Sequence, residues 1–387
     1  MKQLDIYNDR EGTFSLKYEV AKEENLMPFW VADMDFPVSE AIHDSIKKRI
    51  EHPIFGYSVF PEEYYTAFIS WQKNIHNVTI ERDLLTSSHD VVQGLFFSLL
   101  LISKPGDNVI VQTPVYFPFF KVISSAKCNM INSPLIKTKN GYEIDFEDFE
   151  NKISENKVKA FILCSPHNPI GRVWRRDELE KIVSICEKYN VTILSDEIHS
   201  DLAHSPNVHI PTHTVNSWAK ENTFSFYSTG KTFNLAGLHS AYALCPTPEY
   251  ADKFRNIKSE YFSSNPNLIG IFANIAAFKD SEDWYRETMK YIESNISYFV
   301  DFINKNTPKI KCKKPEFGFL IWLDCSELGE TSEDIDRFFK KDAGLLLNKG
   351  SIFGKGGDRY MRWNVAVPRH RLEEGLKKLK DAYDKKF

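Results

Sequence analysis

Three polar residues stand where chemistry could be done: Asn168 in "CSPHNPIG", Asp196 in "ILSDEIHSD" and Lys231 in "FYSTGKTFN". Each follows an apolar run that reads as a buried strand: "VKAFILC", "VTILS" and "TFSFYS". Proline donates nothing to a strand ladder, so Pro166 and Pro169 end the first run sharply. Asn168 is thereby left at the strand's C-terminal edge, where open α/β sheets bind ligands. Taken singly, the three read as a turn asparagine, a capping aspartate and a surface lysine. Together on one edge they suit a pyridoxal phosphate site. A lysine amine forms a Schiff base with the cofactor aldehyde. A carboxylate facing the pyridine nitrogen keeps it protonated and makes the ring an electron sink. An amide can hydrogen-bond the ring's 3-oxygen. Phosphate needs N–H donors, hydroxyls and a positive helix end, which "TSSHDVVQG" and Ser228 can supply.

Such residues meet only if their strands lie side by side, and the chain has the pattern for it. From about residue 84, strand-like and helix-like segments alternate: "DLLTSS", "VVQGLFFSLLLI", "NVIVQTP", "VYFPFFKVISSA", "NMINSPLI", then "VKAFILCSP", "RDELEKIVSICEKYN" and "VTILSDEI". "TFSFYS" and "SAYALC" add two more strands. Repeated βαβ units imply an α/β fold, a mostly parallel sheet with helices on both faces. Past about residue 285 a long helix, the strand "FGFLIWLDC" and a closing amphipathic helix suggest a smaller α+β domain. The expected division is an N-terminal arm over 1–45 packing with the small domain, a large α/β domain over 46–284 and the small domain over 285–387.

Composition bounds the rest. A net charge of −4 over 387 residues gives no reason to expect nucleic acid or an anionic membrane as a partner. No run of about 18 apolar residues occurs, so no membrane span is expected. The polar start "MKQLDIYNDREGT" lacks the apolar core of a signal peptide. Six cysteines without C-x-x-C spacing read as reduced core residues of a cytoplasmic protein.

With these residues in view, the chain resembles the fold-type I pyridoxal phosphate enzymes of the aminotransferase class I/II superfamily. More narrowly it resembles the MalY/PatB-type cystathionine β-lyases, or C–S β-lyases. The resemblance rests on "PFWVADMDFPV", "FGYS", "SPHNPIGRVW", "DEIHSD", "KTFNLAGLHSA" and "RWNVAVPRHRL", which span nearly the whole chain. It implies elimination on cystathionine or other L-cysteine S-conjugates, giving a thiol, ammonia and pyruvate. Two alternatives stay open: an aminotransferase using the same residues, and a regulatory binding protein with residual lyase activity.

Carried over by position, the resemblance implies that Lys231 bears the cofactor and serves as base. Asp196 would pair with the pyridine nitrogen, Asn168 with the 3-oxygen, and Tyr116 would stack on the ring. His199 stands where many relatives place a tyrosine near the 3-oxygen. Ser228 and the backbone of Val91 and Val92 would hold the phosphate. Tyr57 would reach the phosphate of a neighbouring subunit, so that a homodimer completes each site. Arg362 would clamp the substrate carboxylate as a bidentate fork, with Asn168 beside it. One departure stands out: Asp90 replaces a usual glycine before the Val-Val pair. It can cap the helix, but its charge beside a phosphate is unfavourable. Either the carboxylate turns away or phosphate affinity falls.

No metal site is expected. His199, His204, His209 and His213 lie close in sequence, but the proline in "HIPTH" breaks helical pairing and the stretch reads as a polar loop. The glycine-rich "GSIFGKGGDRY" lacks a Walker A or dinucleotide-binding pattern and reads as a loop covering the site near Arg362.

Overall fold

The computed structural model describes residues 2–139 and 141–387. A seven-stranded sheet is made by β1 (Leu85–Ser88), β2 (Asn108–Val111), β3 (Asn129–Asn132), β4 (Ala160–Cys164), β5 (Thr192–Asp196), β6 (Thr223–Ser228) and β7 (Ala241–Leu244). Their spatial order is β1-β7-β6-β5-β4-β2-β3. Pairs from β6 across to β3 are parallel, while β7 is antiparallel to both of its neighbours.

Both faces of this sheet are covered, which is why its central strands read as unbroken apolar runs. Ala160 and Ile162 of β4 pack on one side with Val109, Val111, Leu194 and Phe224. Phe161 and Leu163 face the other way, into a core with Ile110, Ile193 and Trp174. The helix Arg176–Tyr189 covers that second face with Leu179, Ile182, Val183 and Cys186. Glu178 accepts the Arg175 N–H at 2.9 Å at its start, and Asn190 ends it in the left-handed conformation (φ 53°). Burying one such leucine contributes about 1.5–3 kcal/mol.

The C-terminal part carries a second sheet, β8 (Leu320–Asp324), β9 (Asn348–Lys349) and β10 (Tyr360–Asn364), in the order β8-β10-β9 and antiparallel throughout. Helices Glu282–Asn306 and Arg369–Lys386 pack on it. The N-terminal segment joins this unit: Met27–Pro28 pairs in parallel with Leu345–Leu346, and Phe29, Met34 and Phe36 share a core with Phe299 and Trp363. Phe29 lies against Trp363 with ring centroids 4.7 Å apart. It fits because Gly375 faces it, where a Cβ would come within 2.6 Å of the Phe29 ring.

The histidine-rich stretch is not the polar loop its composition suggests. His199, His204, His209 and His213 are all buried. His209 Nε2 lies 3.0 Å from Glu197 Oε2, and His204 Nε2 lies 2.6 Å from the Gly318 carbonyl oxygen. Internal acceptors let His204 and His209 leave water, and nothing in local sequence polarity reveals such partners. Among the described residues no helix is long and apolar enough to cross a membrane.

Candidate active site

Strand register brings the expected residues together. Cys164 pairs with Asp196 and Asp196 with Phe226, so β4, β5 and β6 end nearly level. Asn168 lies four residues past β4, Asp196 closes β5, and Lys231 sits in the short helix Thr229–Thr232 that follows β6. All three line one cavity of about 350 Å³, together with Tyr116, Val91, Val92, His199, Ser228 and Arg362. Tyr116 follows β2 and Asn168 follows β4, the neighbouring strands between which the connection reverses direction. Clefts of open sheets form at such points. Tyr57 does not enter this cavity. It is fully exposed, within a stretch whose Ile54, Phe55 and Val59 are also exposed.

Arg362 reaches the cavity from the second sheet. Strand periodicity puts Arg362 and Asn364 of β10 on one face, and both grip the segment after Phe29. Arg362 Nη2 donates to the Trp30 carbonyl at 3.2 Å, and Asn364 Nδ2 donates to the carbonyls of Val31 (2.7 Å) and Asp33 (2.6 Å). Arg362 also donates to Asn168 Oδ1 at 3.0 Å and to Asn348 Oδ1 at 2.6 Å. Its guanidinium lies over Phe353 of the glycine-rich loop, 4.8 Å from the ring centroid. Farther out, Asp33 and Asp35 are clamped by Arg10 at 2.9 Å each, and Asp35 by the buried Lys17 at 2.9 Å. The run "WVAD" is thus a fixed wall whose Trp30 and Ala32 carbonyls meet Arg362 and Lys231, while those of Val31 and Asp33 are held by Asn364. Sequence reasoning quoted this run but gave it no role, and it missed Asn348 altogether. The pairing of Arg362 with Asn364 two residues on was the signal available.

Burial sets the electrostatics. The Lys231 amine donates to the Ala32 carbonyl at 2.7 Å. Burial, then the nearby Arg362 charge, lowers its pKa to about 8, against the pull of Asp33 and Asp196. Asp196 is raised to about 7, chiefly by burial; it accepts the Ile198 N–H at 3.1 Å. Burial pushes His199 well below the ordinary imidazole range, with Lys231 and Arg362 adding to it, so its ring is neutral. Burial also lowers Arg362 to about 10, which leaves it charged at neutral pH.

The family model for "Aminotransferase class I and II" matches residues 24–379. The chain belongs to that family. It is 34% identical over 383 residues to "Cystathionine beta-lyase PatB" of Bacillus subtilis (strain 168), covering 98% of this chain and 99% of that one. Cystalysin from Treponema denticola, solved with a pyridoxal 5'-phosphate cofactor, superposes with a TM-score of 0.95 at 31% identity, covering 99% and 98%. The PLP-bound C–S lyase of Staphylococcus hominis in complex with the inhibitor L-cycloserine gives a TM-score of 0.91 at 31% identity, covering 98% of each chain.

In this class I and II aminotransferase fold, the cavity's far end opens on the helix Val91–Ile102. Asp90 caps that helix: its Oδ1 accepts the Gln93 N–H at 2.7 Å. Among the described residues the Val91 and Val92 amides have no acceptor, as the first amides of a helix do not. Asp90 Oδ2 lies 3.9 Å from His239 Nδ1. Ser228 reaches the same end, but its hydroxyl donates to the Ser240 carbonyl at 2.8 Å and accepts the Gly230 N–H at 3.0 Å. Its donor therefore points away from the cavity in this arrangement, unlike the free amides of Val91 and Val92.

Proposed function

We propose that this chain is a pyridoxal 5'-phosphate-dependent carbon–sulfur β-lyase that converts L-cysteine S-conjugates, cystathionine among them, to a thiol, ammonia and pyruvate. The observation that carries this reading is the set of incomplete partners around the cavity. Asp196 is a buried carboxylate that, among the described residues, accepts a hydrogen bond from one backbone amide and from no side chain. Arg362 Nε and His199 Nδ1 are buried without a hydrogen-bond partner among the described residues. Buried polar groups are ordinarily satisfied, so the cavity suits an occupant offering a cationic N–H donor to Asp196 and anionic groups to the other end. A protonated pyridine carrying a phosphate and a substrate carboxylate has that pattern. The relatives and solved structures above are named for the same chemistry.

Bound there, pyridoxal phosphate supplies the electron sink that makes a substrate α-carbon acidic. This chain's residues do the rest. Lys231 would hold the cofactor through its amine and would take the α-proton on Nζ; with its pKa lowered by burial to about 8, about a tenth of the amine is free base at pH 7 and about half at pH 8. Asp196 holds the proton on the ring nitrogen. Asn168 offers Nδ2 to the 3-oxygen, its Oδ1 being taken by Arg362. Tyr116 packs against the ring, with His199 as a neutral neighbour of the 3-oxygen. Val91 and Val92 give their amides to the phosphate, with Ser228 joining after its hydroxyl turns. Arg362 binds the substrate carboxylate, and Asn348 and the Trp30 carbonyl fix its fork. That fixation aligns Cα–H for Lys231. The exposed Tyr57 completes the site of a second subunit in a homodimer.

The test is a product ratio. Cystathionine or an S-alkyl cysteine should give equimolar pyruvate and thiol with no added keto acid, and alanine with a keto acid should be turned over poorly. Rapid amino transfer with negligible thiol release would overturn the lyase reading while leaving the cofactor site intact.

A further inference from the structure

Asp90 puts a carboxylate where the cofactor's phosphate must come, and the structure shows what stands beside it. We infer that His239 is a side-chain ligand of the phosphate in this chain, with Asp90 beside it, and that the pair replaces a neutral cradle. This rests on the pyridoxal phosphate reading of the cavity.

The geometry points there from both sides. His239 lines the same cavity as Val91, Val92 and Ser228, and its Nδ1 lies 3.9 Å from Asp90 Oδ2. Asp90's other oxygen is committed to the helix cap. The carboxylate therefore has not turned away. It faces an imidazole nitrogen 3.9 Å away, and the ring can present its second nitrogen elsewhere. His239 holds this place at φ 43°, ψ 71°, a left-handed conformation that asparagine or glycine would adopt more cheaply. The other charged or titratable groups at this end are His89, whose ring stacks on His239 at 4.5 Å and 13°, and Lys258, which is engaged with Ser87. Among the described residues, His239 is the imidazole that lines the cavity at the amides of Val91 and Val92, with His89 stacked on it.

The three residues His89, Asp90 and His239 also lie close enough for a metal ion. The stacking argues against that use. Ring-nitrogen lone pairs lie in the ring plane, and two parallel rings do not aim them at a common point.

The experiment titrates cofactor-stripped protein with pyridoxal phosphate and, separately, with pyridoxal, following absorbance and intrinsic fluorescence. His239→Asn suits the left-handed backbone and removes the imidazole. It should raise the Kd for pyridoxal phosphate about tenfold, equivalent to about 1.4 kcal/mol, and leave pyridoxal within about twofold. His239→Arg should restore most of the phosphate-dependent affinity. Asp90→Asn keeps the helix cap; it should recover part of the loss in the His239→Asn background and not tighten binding in the parent. The inference is overturned if His239→Asn binds pyridoxal phosphate like the parent, or if both ligands weaken alike. A parent affinity that EDTA abolishes overturns it in favour of a metal. A parent that binds neither ligand overturns the cofactor reading itself.

Discussion

Replacing Asp196 by asparagine separates what the carboxylate costs the fold from what it does for the reaction. Burial lifts its pKa from 3.8 to about 7 in the cofactor-free protein. At 1.36 kcal/mol per tenfold change, ionising it inside the protein costs about 4 kcal/mol. The sign follows from proton counting: between pH 4 and 7 the native protein keeps a proton that the unfolded chain has released, so stability falls as pH rises. Asparagine retains an oxygen for the Ile198 N–H and carries no charge. Lys231 loses a neighbouring negative charge in the variant, which offsets part of the gain. Cofactor-free Asp196→Asn should therefore be about 2–4 kcal/mol more stable than the parent at pH 8, and the gain should shrink to about 1–1.5 kcal/mol at pH 5. Urea unfolding at both pH values and one fixed protein concentration measures this. The cofactor-loaded variant should lose at least about a hundredfold in turnover, because the charge acts as the carbanion develops. An equal gain at both pH values, or a less stable variant at pH 8, would refute the reasoning.

Two further outcomes follow from the same geometry. Arg362→Lys should lower kcat/KM for every cysteine conjugate by about a hundredfold or more, since a point charge reproduces neither the fork nor the contacts to Asn168 and Asn348; steady-state kinetics with S-methyl cysteine checks this, and a change under tenfold counts against the clamp. Mixing Lys231→Ala and Tyr57→Ala proteins, each nearly inactive, should regain about a quarter of parental activity if subunits pair at random across a two-fold axis; no gain after demonstrated exchange would remove Tyr57 from the partner's site.

The framework was readable because burial on both sheet faces leaves a plain trace in sequence. The strands carrying Asn168, Asp196 and Lys231 are runs of apolar residues closed by proline, aspartate or a Ser-Thr-Gly turn, and the helices between them have helical spacing. The wall formed by residues 30–33 was not readable, because its function lies in backbone carbonyls that any residue type could offer. Asn348 was hidden for a related reason. It stands in a two-residue strand, and its value comes only from register against Arg362. Buried histidines escaped for the opposite reason: their side chains announce polarity, while the acceptors that allow burial come from distant carbonyls and Glu197.

The carboxylates at the end of β5 and just past it show how structure tells a working acid from a structural one. Asp196, Glu197 and Asp201 are all buried within six residues of each other. Burial raises the pKa of each, but Glu197 is brought down to about 2, chiefly by the hydrogen bond and charge of His209. It also accepts hydrogen bonds from Tyr227 at 2.7 Å and from the Thr212 amide at 2.9 Å. Asp201 is lowered as well, by His76 at 2.7 Å, with Thr232 and Trp71 donating to it. These two acids are satisfied by the protein itself, and through Tyr227 and Thr232 they fix β6 and the short helix that carries Lys231. Asp196 has no such partner and is left near 7. An uncompensated buried carboxylate is costly to keep, and its cost is met only when something outside the chain supplies the cation. The same contrast holds for the bases: among the described residues the amine of Lys231 hydrogen-bonds to one carbonyl at 2.7 Å and to no carboxylate, so it can be released to a substrate. Where neighbouring acids and amines are paired, the fold is using them; where they are left wanting, the reaction is.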